Sequence, residues 1–132
     1  MKIESKSVVS PKGDITLYTL TNASGASVTV SSLGAGIVSV VVPDKDGNMA
    51  DVALGYANPA DYIGDGPCAG KTPGRYANRI AKGKFSINGT EYQLAINNGP
   101  NALHGGPEGF MNQNWKSEAC GSHVKFTYVA AD

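Results

Sequence analysis

His104 is the residue of this chain with the clearest capacity for chemistry. It lies in residues 97–106, NNGPNALHGG, among amides and glycines. A neutral imidazole donates from one ring nitrogen and accepts at the other, and its pKa of about 6.5 lets it change roles around neutral pH. The two glycines after it remove steric cover, so that a ligand or a neighbouring backbone can come close. Because Asn, Gly and Pro also form turns for local reasons, the spacing leaves both a binding residue and an ordinary loop open.

A basic segment precedes this loop, with no acidic residue between Asp65 and Glu91. Its cations are Lys71, Arg75, Arg79, Lys82 and Lys84. Three interpretations remain open: a solvated loop, a nucleic-acid contact, or the wall of a polar pocket. Arginine suits the third, because its fixed donors match the paired oxygens of carboxylates, phosphates or vicinal sugar hydroxyls. A nucleic-acid surface would need further basic residues and a base-stacking surface, which this neutral chain does not offer.

The segment GPCAGKT, residues 66–72, resembles the motif of a phosphate-binding loop because it contains Gly-Lys-Thr at its end. Such a loop needs four residues between its two glycines, and here three separate Gly66 from Gly70. One of the three is Pro67, which has no N–H to offer a phosphate. The sequence therefore argues against nucleotide binding here.

A zinc site would have to use Cys68, His104, Cys120 and His123. Only Cys120 and His123 are close in sequence, and the paired spacings of structural zinc sites are absent. His123 alternates with Lys125, which places it on the expected solvent face of a strand. The sequence predicts no metal site and a surface position for His123.

Composition predicts one domain, residues 1–132, because 132 residues with 41% hydrophobic content can bury one core. Equal numbers of basic and acidic residues, 11 of each, argue against a nucleic-acid or membrane-surface partner. Two cysteines are too few for a disulfide framework. With neither a visible export signal nor a membrane-spanning apolar run, we expect a cytoplasmic protein.

The elements that must position these residues are short strands separated by glycine-rich turns. Strands are predicted at residues 15–22, 26–32, 36–44 and 123–130, and one short helical turn at 58–63 with Asn58 as its N-cap. The predicted fold class is all-β, an antiparallel sandwich or part of a larger one. The last strand runs into VAAD without a covering segment, so we expect the fold to continue beyond it.

The clearest single element is a hairpin at residues 83–97, where Asn88-Gly89 suits a type I′ turn. The side chains expected to face inward are Phe85 and Ile87 before the turn and Tyr92 and Leu94 after it. A hairpin returns the chain toward its starting end. Arg79 and His104, which flank it, are therefore expected to face one cleft.

Residues 73–115, from PGRYANRI through LHGG to NQNW, closely resemble the aldose 1-epimerase family, the galactose mutarotases. The match is long and collinear, and the strands before it are compatible with the same family. The resemblance covers most of this chain but only the N-terminal portion of a family member. It implies that the chain forms part of a β-supersandwich that binds a hexose in an open cleft.

The resemblance also implies the site. The substrate-binding Asn-Arg pair of the family corresponds to Asn78 and Arg79, and its first active-site histidine to His104, with the adjacent glycines making room for the sugar ring. The family interconverts α and β anomers of hexoses such as galactose and glucose by proton transfer, which implies no metal and no organic cofactor. Its general acid and base lie C-terminal to the region present here. The implied partners are therefore a hexose and the missing part of the fold, as the same polypeptide or a second chain.

Two alternatives remain at this point. One is a non-catalytic carbohydrate-binding module that keeps the cleft wall without the acid and base. The other is an epimerase for hexose 6-phosphates, with Lys71, Arg75, Lys82 or Lys84 holding the phosphate.

Overall fold

The structure, a computed structural model, describes residues 1–11 and 13–130. In these residues the regular elements are strands and short 3₁₀ turns, and no α-helix occurs, which confirms the predicted all-β antiparallel class. No helix in the described ranges has the length and apolar character needed to cross a bilayer.

The largest unit is a five-stranded antiparallel sheet in which neighbours in sequence are neighbours in space. Its strands are β1 (Lys2–Val8), β2 (Ile15–Thr21), β3 (Ser27–Ser31), β4 (Gly36–Pro43) and β5 (Met49–Asp51). The predicted strands at 15–22, 26–32 and 36–44 are confirmed to within a residue at each end. Neither β1 nor β5 was predicted.

Three two-stranded sheets follow along the chain. They are β6 (Arg79–Ile80) with β9 (Ala102–Leu103), β7 (Lys84–Ile87) with β8 (Thr90–Gln93), and β10 (Lys116–Cys120) with β11 (His123–Thr127). The strand predicted at 123–130 ends at Thr127. The last two residues of VAAD, Ala131 and Asp132, lie outside the described residues.

One face of the large sheet carries the apolar core of Ile15, Leu33 and Tyr62. Tyr62 comes from the 3₁₀ turn Pro59–Tyr62, and Asn58 caps this turn by accepting a hydrogen bond from the Ala60 N–H, as the sequence predicted. The Tyr62 hydroxyl accepts from the Tyr56 N–H at 3.1 Å. It also donates to the Val38 carbonyl at 3.3 Å, which fixes the covering loop to β4.

The opposite face is covered at one end by the hairpin of β10 and β11. Phe126 packs edge-on against Tyr18 with ring centroids 6.3 Å apart, and the Tyr18 hydroxyl donates to Ser117 at 3.2 Å. Val124, Phe126 and Tyr128 are half-buried, while His123 is exposed, as the alternation predicted.

A buried ion pair lies within residues 62–72, the segment that packs against the large sheet. The Lys71 ammonium contacts the Asp65 carboxylate and the Tyr62 carbonyl, and the two charged side chains are 2% and 1% exposed. Backbone bonds join the same segment to β4 and to the turn before it, from Ile37 N–H to the Gly70 carbonyl and from Thr72 N–H to the Gly34 carbonyl, both 2.9 Å. The lysine of GPCAGKT is therefore part of the internal structure and cannot reach a phosphate.

The hairpin of β7 and β8 turns at Asn88-Gly89 as predicted, with φ of 50° and 81°. Phe85 and Tyr92 are direct cross-strand partners and stack at 5.2 Å with an interplanar angle of 15°. The expectation that all four apolar side chains face inward is wrong, because Ile87 is 54% and Tyr92 45% exposed. The reason is that this hairpin forms its own two-stranded sheet, and no second layer within the described residues covers those two side chains.

Candidate functional site

The short sheet of β6 and β9 places the predicted site residues side by side. Arg79 pairs with Leu103, so Asn78 and His104 are adjacent at the end of the ladder. The His104 N–H donates to the Asn78 carbonyl at 3.1 Å. The intervening hairpin returns the chain as the sequence predicted, and the structure brings Asn78, Arg79 and His104 together.

The imidazole of His104 is held by the backbone of Asn78. Its Nδ1 accepts a hydrogen bond from the Asn78 N–H at 2.9 Å. Both residues have positive φ, 61° for Asn78 and 50° for His104, a conformation that asparagine and histidine adopt more readily than most residues. Because Nδ1 accepts, the proton of the neutral ring is on Nε2. The half-buried ring therefore presents an N–H donor at Nε2.

Arg79 is oriented by two asparagine side chains. Its Nε donates to the Asn98 Oδ1 at 2.8 Å, and its backbone N–H donates to the Asn78 Oδ1 at 2.9 Å. A longer contact of 3.5 Å joins Nη1 to the same Asn78 oxygen. These contacts align the exposed guanidinium and leave its outer donors for a ligand. Asn98 was not predicted as a site residue, and only the density of amides in residues 97–101 could have pointed to it.

The remaining amides of this loop have structural roles. Asn97 bridges the backbone of Leu103, accepting from its N–H at 2.7 Å and donating to its carbonyl at 3.0 Å. The Asn101 side chain accepts from the Lys82 N–H at 3.1 Å. Both interpretations of NNGPNALHGG therefore hold for different residues: Asn97 and Asn101 build the turn, and the turn carries His104.

The resemblance implied that Gly105 and Gly106 make room for the sugar ring. A Cβ on Gly106 would meet nothing closer than 3.8 Å, but the space in front of Gly105 is occupied. A Cβ at this position would lie 1.7 Å from the Gly74 carbonyl oxygen. That space is filled by the backbone of Gly74 and Gly109, and a close approach of neighbouring backbone is the other possibility that the sequence left open. The close approach ties the His104 loop to the segment that leads into Asn78.

Replacing Gly105 with alanine is expected to destabilise the chain by about 1–3 kcal/mol more than the matched change Gly25→Ala, because the backbone must move to admit the new Cβ. The two glycines have nearly equal φ, 89° and 87°, and a Cβ at Gly25 meets nothing within 4 Å. Urea unfolding of both variants measures the difference. Equal losses of unfolding free energy in the two variants would contradict the close approach of Gly105 to the Gly74 carbonyl.

Three of the other four cations of the basic segment bind partners outside this site. Lys71 is buried with Asp65, and Lys84 forms an exposed ion pair with Glu91 at 2.9 Å on the hairpin. Arg75 donates to the Ala130 carbonyl at 3.3 Å. Three of the five predicted cations thus have internal partners away from His104.

An aromatic pocket, defined by Tyr76, Phe110 and Tyr128, borders Gly105 and has a volume of about 360 Å³. Phe110 contacts the rings of Trp115 and Tyr128 with centroids 5.7 and 5.5 Å away, and its N–H donates to the Gly74 carbonyl at 3.0 Å. Gly74 and Gly105 line the pocket, but the side chains of Asn78, Arg79 and His104 do not. It is therefore a neighbour of the candidate site and separate from it.

Among residues 1–11 and 13–130, no group of three or more His, Cys, Asp or Glu side chains could hold a metal ion. Cys68 and Cys120 are both unpaired and half-buried. Burial raises the pKa of the Cys68 thiol, and the nearby Asp65 carboxylate adds to that effect.

Comparison with known proteins identifies the family. The family model for aldose 1-epimerase matches residues 16–132. The chain belongs to the aldose 1-epimerase family. It is 44% identical to the galactose mutarotase of Sus scrofa over 105 residues, which are 80% of this chain and 31% of that protein. It is 40% identical to the aldose 1-epimerase of Escherichia coli strain K12 over 100 residues, 76% of this chain and 29% of that protein.

A solved structure agrees with the sequence relatives. The galactose 1-epimerase of Lactobacillus acidophilus NCFM superimposes with a TM-score of 0.84 at 28% identity, covering 100% of this chain and 40% of that one. The β-sandwich class predicted from the sequence is therefore that of the family. The chain spans about a third of the length of the curated relatives that it matches.

Proposed function

We propose that residues 1–132 form the N-terminal portion of an aldose 1-epimerase that interconverts the α and β anomers of a hexose such as galactose or glucose. The observation that carries the proposal is the arrangement of His104 and Arg79, two outward-directed donors held by backbone and amide contacts on one short sheet. Vicinal sugar oxygens are the acceptors that such a pair of donors fits. Membership of the aldose 1-epimerase family supports this chemistry.

Mutarotation requires two proton transfers. A base removes the proton of the anomeric hydroxyl while an acid protonates the ring oxygen, the bond between C1 and that oxygen breaks, and the resulting aldehyde recloses on either face. In the tautomer that the Asn78 hydrogen bond implies, His104 donates through Nε2, so it can orient the sugar and stabilise charge on an oxygen but cannot accept the hydroxyl proton there. The family resemblance implies that the acid and base lie C-terminal to these residues, and that missing part of the fold is the proposed partner.

The two alternative functions receive less support. A hexose 6-phosphate would need a cationic cluster, yet Lys71 and Lys84 are paired with carboxylates away from His104. A non-catalytic module would use the same donors, but the relatives from Sus scrofa, Escherichia coli and Lactobacillus acidophilus are named as epimerases or mutarotases. Two unpaired cysteines fit a reducing compartment, so a cytoplasmic location is part of the proposal.

The sugar contact is tested by nitrogen-15 NMR of the two imidazoles during a galactose titration. We expect the free chain to show the Nε2-protonated tautomer of His104, and galactose to shift its Nε2 signal. The exposed His123 is an internal control whose signals are expected to stay in place. Unchanged His104 signals, or equal shifts at both histidines, would contradict the proposed contact.

A further inference from the structure

Asn98 reaches the candidate site with a side chain that its own turn does not use. Its Oδ1 accepts from the Arg79 Nε at 2.8 Å, and within residues 1–11 and 13–130 this is the one side-chain hydrogen bond of Asn98. A guanidinium nitrogen can only donate, so the atom that it meets is the amide oxygen. The Asn98 amide thus serves Arg79 and no other group in the described part of the chain.

The turn that carries Asn98 closes through backbone bonds and through other side chains. The Asn98 N–H donates to the Asn101 carbonyl and the Asn101 N–H donates to the Asn98 carbonyl, both at 3.0 Å. The side chains of Asn97 and Asn101 bind the backbone of neighbouring segments. The half-buried Asn98 side chain adds nothing to this framework. Its contact with Arg79 is therefore not a by-product of building the turn.

The contact sets the rotation of the exposed Arg79 guanidinium. The contact of Nη1 with the Asn78 Oδ1, at 3.5 Å, is at the limit of a hydrogen bond, so Asn98 is the stronger partner. Because the Nε–H is taken, the N–H groups of Nη1 and Nη2 are the donors left for a ligand. Asparagine is neutral, so it orients the guanidinium without cancelling its positive charge.

We propose that Asn98 is a positioning residue for the hexose and acts through Arg79. It holds the guanidinium so that the edge formed by Nη1 and Nη2 meets vicinal hydroxyls of the sugar. Without Asn98 the long arginine side chain would have to be ordered when the sugar binds, and that ordering weakens binding. The inference rests on the proposed function, since it takes the hexose as the ligand of Arg79.

The orientation of Arg79 is tested first, without sugar, by nitrogen-15 NMR of the 132-residue chain. The Nε–H signal of Arg79 is assigned by its absence in Arg79→Met. We expect Asn98→Leu to shift this signal and to speed its exchange with water. Asn98→Asp keeps an acceptor oxygen on a side chain of the same length, so slow exchange should be preserved.

Asn101→Leu is the matched control from the same turn. It removes the acceptor of the Lys82 N–H and is expected to lower the urea midpoint of the chain. Asn98→Leu should leave the urea midpoint unchanged, because the turn does not use that side chain. The pair of variants separates a positioning role from a structural one.

The effect on the sugar is measured as kcat/KM for galactose mutarotation in the complete polypeptide. We expect Asn98→Leu to lower kcat/KM about tenfold when Arg79 is present, since it loosens a group that orients the substrate. In an Arg79→Met background the same change should cost less than about twofold, because two residues that act as one unit are not additive. Asn98→Asp is expected to retain most of the activity of the unaltered enzyme.

Three results would overturn the positioning role: an unchanged Arg79 Nε–H signal in Asn98→Leu, unchanged kcat/KM in that variant, or equal losses of kcat/KM in the two backgrounds. A urea midpoint that falls as far in Asn98→Leu as in Asn101→Leu would also overturn it, in favour of turn building. The proposed function fails on a separate result. Unaltered kinetics of Arg79→Met would remove Arg79, and with it Asn98, from the sugar site even where NMR confirms their contact.

Discussion

Replacing His104 with alanine in the complete polypeptide is expected to lower kcat/KM for mutarotation of galactose by about 10²–10³-fold, the loss typical of removing one preorganised donor at a developing charge. The ring is preorganised because the Asn78 N–H holds Nδ1 at 2.9 Å and so keeps the proton on Nε2. Polarimetry of freshly dissolved α-galactose measures the rate directly.

The control for this experiment is the other histidine of the chain. His123→Ala removes an exposed imidazole on β11 and should leave kcat/KM unchanged. Because the His104 variant also leaves the Asn78 N–H without its acceptor, urea unfolding of both variants separates misfolding from lost chemistry. A folded His104→Ala enzyme with ordinary kinetics would remove His104 from the site.

The second large effect concerns stability. Lys71→Met is expected to lower the free energy of unfolding by about 3–5 kcal/mol, because it leaves the Asp65 carboxylate buried without its counter-charge. The pair is 2% and 1% exposed, so water cannot replace the lost partner without opening the loop. Urea unfolding monitored by circular dichroism measures this change in the free energy of unfolding.

Lys45→Met supplies the matched control, because the ion pair of Lys45 with Asp46 has side chains 87% and 62% exposed. We expect Lys45→Met to lower the free energy of unfolding by about 0–1 kcal/mol. The double change Lys71→Met with Asp65→Leu should recover much of the loss, since it removes both buried charges. A single Lys71→Met variant as stable as the control would mean that the pair contributes nothing to the fold.

Three strands of the large sheet, β2, β3 and β4, could be predicted because their β-branched runs end at turn-forming residues. The same rule missed β1, an edge strand whose sequence KIESKSV is dominated by polar and charged side chains. It also missed β6 and β9, which are two residues long and too short to show any periodicity. Their pairing depends on contacts across the intervening hairpin, which no local pattern encodes.

The sequence also predicted part of the candidate site. Asn78, Arg79 and His104 came from the family resemblance, and their adjacency followed from the hairpin between them. The contact of Asn98 with Arg79 could not be predicted, because no local pattern distinguishes Asn98 from the other two asparagines of residues 97–106. Burial of Lys71 was equally invisible, since a lysine among glycines suggests a solvated loop, and its partner Asp65 is fixed only when residues 62–72 fold onto the sheet.

The bond between Asn78 and the imidazole has an evolutionary consequence. Its donor is a main-chain N–H, so substitution of the Asn78 side chain leaves the bond in place as long as the residue can adopt a φ of 61°. Proline cannot, because it lacks the N–H and its ring restricts φ to about −65°. The tautomer of His104 therefore depends on the backbone conformation at Asn78 and not on the identity of its side chain. An alignment of side chains would not reveal how this tautomer is maintained.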